Sequence, residues 1–454
     1  MPDSRTLRRP RRRLGALLVG LTVVLVAAAC AGGDDDSPRD TATEGAAPAP
    51  EAAPEPTGES EAAAAVPGGS DGASPGAEAA EGGRGVIAGV DTSIRSVDLE
   101  DIEFDLFNGS KISLAEIDEQ TILRLIDVIP PLDAALELIP PSGRSRVGRV
   151  RYIPAQEADF LREDDVVQGY VAEDGQPYAF SLGILQFHEI VNDTLGGRAV
   201  LISYCPLCRS GVVYDRVVDG QLLTFGNTSA LLQNDLVMFD RQTNSYWFQI
   251  GGEAVVGPLT GSRLRVLPSV LIPWSAWLRD HPDTLVLSTD TGFVRSYTVD
   301  LFAGFENSVD AGRLPFSVDE EILADTRLPL SELVLGVEIG ELARAYPLNQ
   351  LGDAAVNDEF GGRAVVVFSS ANGPTGAAYD PVIDGRRLTF DEDGGNFRDR
   401  QTGSLWTLSG RAIEGPLAGE QLTAIPARTA FWFSYLSAFP NVEVAPAELP
   451  GDAQ

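Results

Sequence analysis

The sequence predicts a mainly β protein of the α+β class, built from two tandem, repeated β-rich lobes with approximate two-fold symmetry and a few short helices. Two observations carry this prediction. The first is an internal repeat, in which residues 191–225 match residues 356–390 without a gap. The second is that short apolar or alternating runs in each copy are separated by turn-forming residues. Because one copy can cover the sheet edges of the other, we expect the two lobes to pack together.

The repeat continues beyond its ungapped part. After a gap, Asp240-Arg241-Gln242-Thr243 recurs as Asp399-Arg400-Gln401-Thr402, and Trp247 recurs as Trp406. The matches divide the chain into segments of different character. The predicted segments are a signal peptide (1–29), a lipidated cysteine with a disordered linker (30–85), an N-terminal extension (86–165), the first repeat with the site (166–300), a second, degenerate repeat (301–445) and a tail (446–454).

Strand and helix signals follow one another along the first repeat. Asp219-Gly220 is a tight-turn dipeptide, and Pro282 ends a short helix, near whose end His281 is expected to pack. The predicted strands are 198–204, 211–218, 221–225, 236–239 and 245–250, and the predicted helices are 182–190 and 275–280.

The N-terminal residues resemble an export signal. A cluster of arginines between Arg5 and Arg13 precedes the uncharged residues 14–29 and then Cys30. Small residues directly before a cysteine are typical of lipoproteins. We therefore expect export, attachment of lipid (palmitate) to Cys30, and a location on the extracytoplasmic face of the cell membrane. Residues 31–85 contain too little apolar surface to form a core, which predicts a disordered tether.

The charge of the chain excludes one class of partner. Its 66 acidic residues against 34 basic residues give a net charge of −32 at pH 7. Nucleic-acid binding depends on basic patches, so nucleic acid is not expected as a partner. The expected partner is the membrane, through the N-terminal lipid. The sequence leaves any protein or small-molecule partner open.

The most informative positions are those at which the two copies differ. Three chemically capable residues of the first copy are replaced together in the second, and the replacements are His188 by Asp353, Cys205 by Ser370 and Cys208 by Gly373. The segment 226–239 is also shortened to 391–398, and it contains Asn227, Ser229, Asn234 and Met238. Residues shared by both copies are expected to serve the fold. The joint loss of the others indicates a single site in the first repeat.

The residue types at these positions favour a metal site. Cys205 and Cys208 lie on a predicted turn after a strand, so both sulfurs can approach within about 4 Å. His188 adds an imidazole, and Met238 adds a thioether as a weaker candidate. Such a soft donor set favours Cu(I) ahead of Zn, so the sequence predicts that the first repeat binds copper or zinc.

Three other interpretations of the same residues stay open. A disulfide between Cys205 and Cys208 would make the domain a disulfide-stapled binding module, as an oxidising compartment permits. The pair would alternatively be a redox thiol site. In the third interpretation one cysteine is a nucleophile for acyl transfer or hydrolysis, activated by His188 and assisted by Asn192 or Asn227.

Three motifs, in order, resemble a known bacterial family. They are His188-Glu189-Ile190-Val191-Asn192-Asp193, Tyr204-Cys205-Pro206-Leu207-Cys208 and Val237-Met238-Phe239-Asp240-Arg241. Over residues 125–445 the sequence is similar to domain-of-unknown-function family 3179 (DUF3179). The resemblance implies an extracytoplasmic bacterial protein without an established activity. Where the family has Cys-Pro-Leu-Cys-Gly, this chain has Arg209 as the fifth residue, and we expect its charge to lower a thiol pKa.

Overall fold

Short strands dominate the computed structural model, which describes residues 86–135 and 147–445. The predicted fold class, mainly β with a few short helices, is confirmed. The predicted signal peptide, Cys30, the linker and the tail lie outside the described residues. Within the described ranges, no helix is both long enough and apolar enough to cross a membrane.

The residues before the first repeat form small elements. They are β1 (Val86–Ile87), β2 (Val90–Asp91), β3 (Ile102–Asp105), β4 (Lys111–Ser113), α1 (Glu119–Leu125), β5 (Leu132–Asp133), β6 (Gly148–Arg149) and β7 (Tyr152–Pro154). Helix α1 begins where the Asp118 carboxylate accepts a hydrogen bond from the Thr121 amide, a standard N-cap.

The first repeat contains longer strands and two helices of seven residues. Its elements are β8 (Val166–Val171), β9 (Pro177–Ser181), α2 (Leu182–His188), β10 (Ile190–Leu195), β11 (Arg198–Cys205), β12 (Ser210–Asp215), β13 (Val217–Val218), β14 (Gln221–Leu222), β15 (Phe225–Leu232), β16 (Asp235–Asp240), β17 (Tyr246–Phe248), β18 (Glu253–Val256), β19 (Val266–Leu267), β20 (Val270–Pro273), α3 (Trp274–Asp280) and β21 (Leu285–Leu287).

Two short helices, α4 (Glu306–Asp310) and α5 (Glu320–Leu323), connect the repeats. The second repeat then follows the same sequence of elements. They are β22 (Leu333–Ile339), β23 (Leu342–Pro347), α6 (Leu348–Leu351), β24 (Ala354–Phe360), β25 (Arg363–Ser370), β26 (Thr375–Asp380), β27 (Val382–Ile383), β28 (Arg386–Arg387), β29 (Phe390–Asp393), β30 (Asn396–Asp399), β31 (Leu405–Trp406), β32 (Ala412–Glu414), β33 (Thr423–Ile425), β34 (Ala427–Phe431), α7 (Trp432–Ala438) and β35 (Glu443–Val444).

The order of strands recurs in the two repeats. The order β20-β8-β9-β21 of the first repeat matches β34-β22-β23-β35 of the second, and β10-β11-β12-β19 matches β24-β25-β26-β33. The repeats also share a sheet, because Gly211 of β12 pairs with Thr429 of β34. The approximate two-fold symmetry of the lobes stays a prediction, as do the domain boundaries.

Residues common to both copies build the scaffold in the same way twice. Asn192 donates to the Phe225 carbonyl at 2.9 Å and accepts from its amide at 2.8 Å, and Asn357 forms the same two bonds with Phe390. A second shared device is the hydrogen bond from the Trp247 indole to Asp240, which recurs as Trp406 to Asp399. Each pairing satisfies buried polar groups that would otherwise destabilise the fold.

The residues before the first repeat are joined to it through three sheets. Strand β3 pairs with β15, β5 pairs with β10, and β7 pairs with β21. A buried ion pair between Asp127 and Arg241, at 2.9 Å, adds to these contacts. The six-stranded sheet β18-β17-β16-β15-β3-β4 and the ten-stranded sheet that contains β11 and β12 together enclose the region of the two cysteines.

Candidate functional site

A tight turn between β11 and β12 places the two cysteines side by side. The Cys208 amide donates to the Cys205 carbonyl at 3.3 Å, so Cys205 to Cys208 form a β-turn with Pro206 at its second position, which proline favours. Arg209 follows with a φ of +48° and returns the chain into β12. The first and fourth residues of such a turn lie close together, and both cysteines are buried as free thiols.

The β15–β16 hairpin brings a carboxylate to this turn. Gln233 and Asn234 form its two-residue tip, both with positive φ, as primed hairpin turns require. Asp235 is the first residue of β16, directly after the tip. The Cys208 thiol donates to the Asn234 carbonyl at 3.1 Å, so the hairpin tip and the cysteine turn are in direct contact.

Cys205, Cys208 and Asp235 form a cluster of possible metal ligands. Their two sulfurs and one carboxylate oxygen all lie within 4.8 Å of one another. None of the three side chains reaches solvent, since their residues are at most 1% exposed. The carboxylate also accepts the Ile250 amide at 2.8 Å, which fixes its orientation toward the thiols. The cluster is therefore closed and held by the fold.

Burial controls the protonation of the cluster. It raises the pKa of the Cys205 thiol to about 11, with the Asp235 and Glu189 carboxyl groups adding to the shift, and it raises the pKa of Cys208 well above its usual value. It also raises the pKa of Asp235 to about 6. At neutral pH both thiols hold their protons unless a cation displaces them.

Helix α7 of the second repeat covers the cluster. The Phe431 amide, just before this helix, donates to the Cys208 carbonyl at 2.8 Å. The Ser434 hydroxyl is fully buried beside the Cys208 sulfur and lowers its pKa, although burial still dominates. In the described part of the chain this hydroxyl makes no hydrogen bond of standard geometry. The second repeat thus contributes a polar group to a site built by the first.

His188 occupies a separate position. It lies in the last turn of α2, where its Nδ1 donates to the Pro130 carbonyl and its Nε2 accepts from the Tyr297 hydroxyl, both at 2.7 Å. A carbonyl can only accept, so both nitrogens are engaged and the tautomer is fixed. Burial lowers the pKa of His188 to about 4, so the ring is neutral. His188 is not among the clustered ligand atoms.

Met238 and the two candidate asparagines are also placed away from the cluster. Side chains alternate along β16, so Met238 projects from the face opposite to Asp235 and packs in the hydrophobic core. The Asn192 side chain is hydrogen-bonded to the backbone of Phe225 in β15, a strand of the six-stranded sheet, as described above. Asn227 donates to the Glu189 carboxyl group at 2.6 Å. Neither asparagine is a hydrogen-bond partner of the His188 ring nitrogens, which are bonded to Pro130 and Tyr297.

The expectation that Arg209 lowers a thiol pKa is wrong. Arg209 points outward and forms an ion pair with Glu306 at 2.5 Å, while burial raises the pKa of both thiols. A cavity of about 260 Å³ lies on this outer side of the turn, and Tyr204, Pro206 and Arg209 are among its lining residues. The two cysteines do not line it, so the cluster has no open route to solvent there.

Sequence reasoning missed Asp235, Ser434 and Glu189. Asp235 lies inside the segment 226–239, which is shortened in the second copy, so the lost length is the sequence signal for this residue. Ser434 is matched in the first copy by Ala276, two residues after the shared tryptophan of each helix. None of the four residues Cys205, Cys208, Asp235 and Ser434 is thus matched by a residue of the same type in the other copy.

Comparison with known proteins gives a family and no individual relative. No curated protein and no solved structure shows significant similarity to this chain. A family model, described as a protein of unknown function (DUF3179), matches residues 146–442, which is most of the chain and includes every clustered residue. The predicted family is therefore confirmed, and the chain belongs to the DUF3179 family.

Proposed function

We propose that this chain is an extracytoplasmic metal-binding protein whose first repeat holds one zinc ion through Cys205, Cys208 and Asp235. The observation that carries the proposal is the cluster itself, with three ligand atoms from two segments within 4.8 Å and fully buried. Tetrahedral zinc with bonds of 2.0–2.3 Å separates its ligands by about 3.5–3.8 Å. Side-chain shifts of about 1 Å or less are enough to reach that geometry.

The donor set favours zinc over copper(I), in contrast to the order that the sequence predicts. Replacement of an imidazole and a thioether by the Asp235 carboxylate makes the set harder, and zinc accepts carboxylate oxygen whereas Cu(I) prefers sulfur and nitrogen. Charge acts in the same direction. Two thiolates and one carboxylate carry three negative charges, and a divalent ion leaves less uncompensated charge in this buried place than a monovalent ion.

Burial of the cluster points to a structural zinc site. Catalytic zinc keeps a coordination position open to water or substrate, whereas structural sites are closed. Here the Asn234 carbonyl, 3.1 Å from the Cys208 sulfur, and the Ser434 hydroxyl are further oxygen donors within the protein. Bound zinc would join the cysteine turn to the β15–β16 hairpin beneath helix α7, so its binding energy would stabilise the junction of the two repeats.

Thiol chemistry is supported less well. Reactive cysteines are partly exposed and have a lowered pKa, whereas Cys205 and Cys208 are buried with a raised pKa. His188, the base that an acyl-transfer mechanism needs, is bonded to Pro130 and Tyr297 instead. Outside the cell, where the chain is predicted to be exported, oxidation to a disulfide is open to two adjacent free thiols, and ligation of zinc is the alternative that keeps both sulfurs reduced.

Metal analysis of the full chain tests this proposal. The protein is purified without oxygen or chelator, and its metals are measured by elemental mass spectrometry. We expect about one zinc per chain in the parent, and loss of most of it in Cys208→Ser and in Asp235→Asn. Ser370→Ala, at the position that matches Cys205 in the second repeat, is the control and keeps its zinc. A folded, reduced parent that contains no metal and takes up none from added zinc would contradict the proposal.

A further inference from the structure

The strand register identifies equivalent places at the two junctions of the repeats. In the first repeat Gly169 of β8 pairs with Val270 of β20, and in the second Gly336 of β22 pairs with Arg428 of β34. Each glycine gives room to an aromatic side chain of the following helix, Trp277 in one case and Tyr435 in the other. Val270 and Arg428 therefore occupy equivalent positions in two otherwise similar arrangements of two strands and a helix.

In the second repeat this position is filled by the protein. The Arg428 guanidinium is buried and forms an ion pair with Glu338, to which the Tyr435 hydroxyl also donates at 2.6 Å. The same guanidinium lies 5.9 Å from the centre of the Tyr214 ring and 5.2 Å from that of Phe439. A paired cation between two aromatic rings thus closes this junction.

In the first repeat the ion pair is absent from the equivalent position. Val270 replaces Arg428, and Val171, two residues after the glycine of β8, replaces Glu338. The aromatic positions are kept, by Tyr379, Trp277 and His281, with the last two rings 4.1 Å apart. These five residues line a cleft of about 910 Å³ between the two repeats.

The walls of this cleft are mainly apolar. Beyond the two valines, the side chains of Leu267, Leu422 and Ile425 face it. The volume lies in the range of small-molecule sites, which are typically apolar and often lie between domains. The exchange of an ion pair for two valines removes the groups that would hold a charged ligand in the interior of the cleft.

Charges at the rim of the cleft balance one another. Most of the charged lining residues already form ion pairs, because Arg198 pairs with Glu173, while Arg265 and Asp280 pair with Asp215 and Arg279 just outside the cleft. Two further charged residues of the rim, Arg411 and Asp283, have opposite signs and are exposed. A ligand with a net charge would therefore gain little here, whereas an uncharged one keeps the existing ion pairs intact.

We infer that this cleft binds an uncharged apolar small molecule, with its apolar part against Val171 and Val270 and a neutral polar end at the rim. The occupant takes the place that the Arg428 side chain fills in the other junction. None of the clustered residues Cys205, Cys208 and Asp235 lines this cleft, and the inference does not depend on the zinc proposal.

Fluorescence titration of the full chain with Nile red, an uncharged apolar dye, tests the inference. We expect saturable binding of one dye per chain and displacement by 1-decanol. Decanoate and decyltrimethylammonium, with the same chain length and opposite charges, should displace the dye at least tenfold less well. Absence of saturable binding, or displacement by either ion as strongly as by the alcohol, would overturn the inference.

Filling variants locate the dye. Val171→Glu with Val270→Arg rebuilds the ion pair of the other junction and should weaken dye binding at least tenfold. The matched control is Val217→Arg with Leu222→Glu, which introduces the same two charged residues at an exposed cross-strand pair of β13 and β14 and should leave binding unchanged. Ala424→Phe fills the cleft without new charge, and it decides the matter if the double variant does not fold by circular dichroism. Unchanged binding in a folded filling variant would refute this location.

Discussion

The turn between β11 and β12 and its counterpart between β25 and β26 occupy the same place in the repeat, yet they differ in burial and chemistry together. The first is closed over by the hairpin tip and helix α7, with Cys208 fully buried. In the second, Ala371, Asn372 and Gly373 are exposed. There the Asp353 carboxylate accepts from the Ser370 hydroxyl at 3.0 Å and the Ala371 amide at 2.9 Å. The second turn satisfies its polar groups locally, whereas the first depends on distant segments.

Hairpin length accounts for much of this difference. Strands β15 and β16 reach the cysteine turn with the tip at Gln233 and Asn234, while β29 and β30 end earlier at Gly394 and Gly395. The shorter hairpin has no residue that corresponds to Asp235, and it does not cover the turn between β25 and β26. A buried cluster of titratable groups is costly unless something compensates it, so loss of the cover and loss of the cysteines are physically linked.

Removal of one cysteine should produce the largest difference in stability between the two turns. We expect Cys208→Ala to lose its zinc and to be less stable by about 3 kcal/mol or more, because the metal binding energy is lost with it. Ser370→Ala, which removes hydrogen bonds within the other turn, should lower stability by only about 1 kcal/mol. Denaturant unfolding of both variants, with and without chelator, measures the difference. Equal losses in the two repeats, unaffected by chelator, would contradict a metal at the first turn.

The pH dependence of zinc affinity should distinguish thiolate ligation from an accidental cluster. Burial raises the pKa of Cys205 to about 11 and that of Cys208 well above its usual value, so zinc must displace both thiol protons at neutral pH. We expect the affinity to rise on the order of 100-fold per pH unit between about pH 7 and pH 9. Competition with a chromogenic chelator at several pH values measures this slope. An affinity that does not change with pH would show that the thiols are not ligands.

Local patterns in the sequence were sufficient for the fold class and for several elements. The predicted strand 198–204 corresponds to β11, and the predicted helices 182–190 and 275–280 correspond to α2 and α3. These elements depend on alternation, helix periodicity and turn residues that are adjacent in the chain. The cysteine pair was also found, because its spacing and its loss in the second copy are both local features.

Such local patterns cannot predict the long-range partners of the cysteines. Asp235 and Ser434 reach Cys208 only through the packing of the hairpin and of helix α7, which no local rule determines. His188 shows the opposite error. Its loss together with the cysteines suggested one site, but the last turn of α2 directs its ring toward Pro130 and Tyr297. Joint loss identifies residues that matter without giving the direction in which they point.

Replacement of His188 separates a structural role from a ligand role. We expect His188→Ala to lower stability by about 2–4 kcal/mol, because it removes two buried hydrogen bonds and leaves a cavity. Its zinc content should stay that of the parent. The control is Asp353→Ala at the equivalent, exposed position, where the loss should be below about 1 kcal/mol. Loss of zinc from a folded His188→Ala protein would restore the histidine as a ligand.

Glu189 should give the first repeat a pH dependence of stability. Burial raises the pKa of Glu189 to about 8 from its usual 4.5. Between these values the folded protein keeps a proton that the unfolded chain releases, so its contribution to stability falls as pH rises. Glu189→Gln should therefore match the parent at about pH 4 and have a higher Tm by several degrees at pH 9. The exposed Glu359→Gln is the control, and a pH-independent difference for Glu189→Gln would contradict the raised pKa.

Ser434 gives the smallest and most specific test of the comparison, because it is the group that the second repeat contributes to the site of the first. Its hydroxyl lowers the pKa of the adjacent Cys208 thiol, so Ser434→Ala should raise that pKa further. We expect zinc affinity at neutral pH to fall by about tenfold, in the range found for groups that support a ligand, with little change in stability. Ala276→Ser, the reverse exchange at the matching position of helix α3, should change neither the zinc affinity nor the stability.

The pH dependence of the loss in Ser434→Ala distinguishes two roles of the hydroxyl. A loss of affinity that vanishes at high pH, where Cys208 ionises without help, would mark Ser434 as a residue that acts through the thiol. A loss of the same size at every pH would instead make the hydroxyl a ligand of the metal itself.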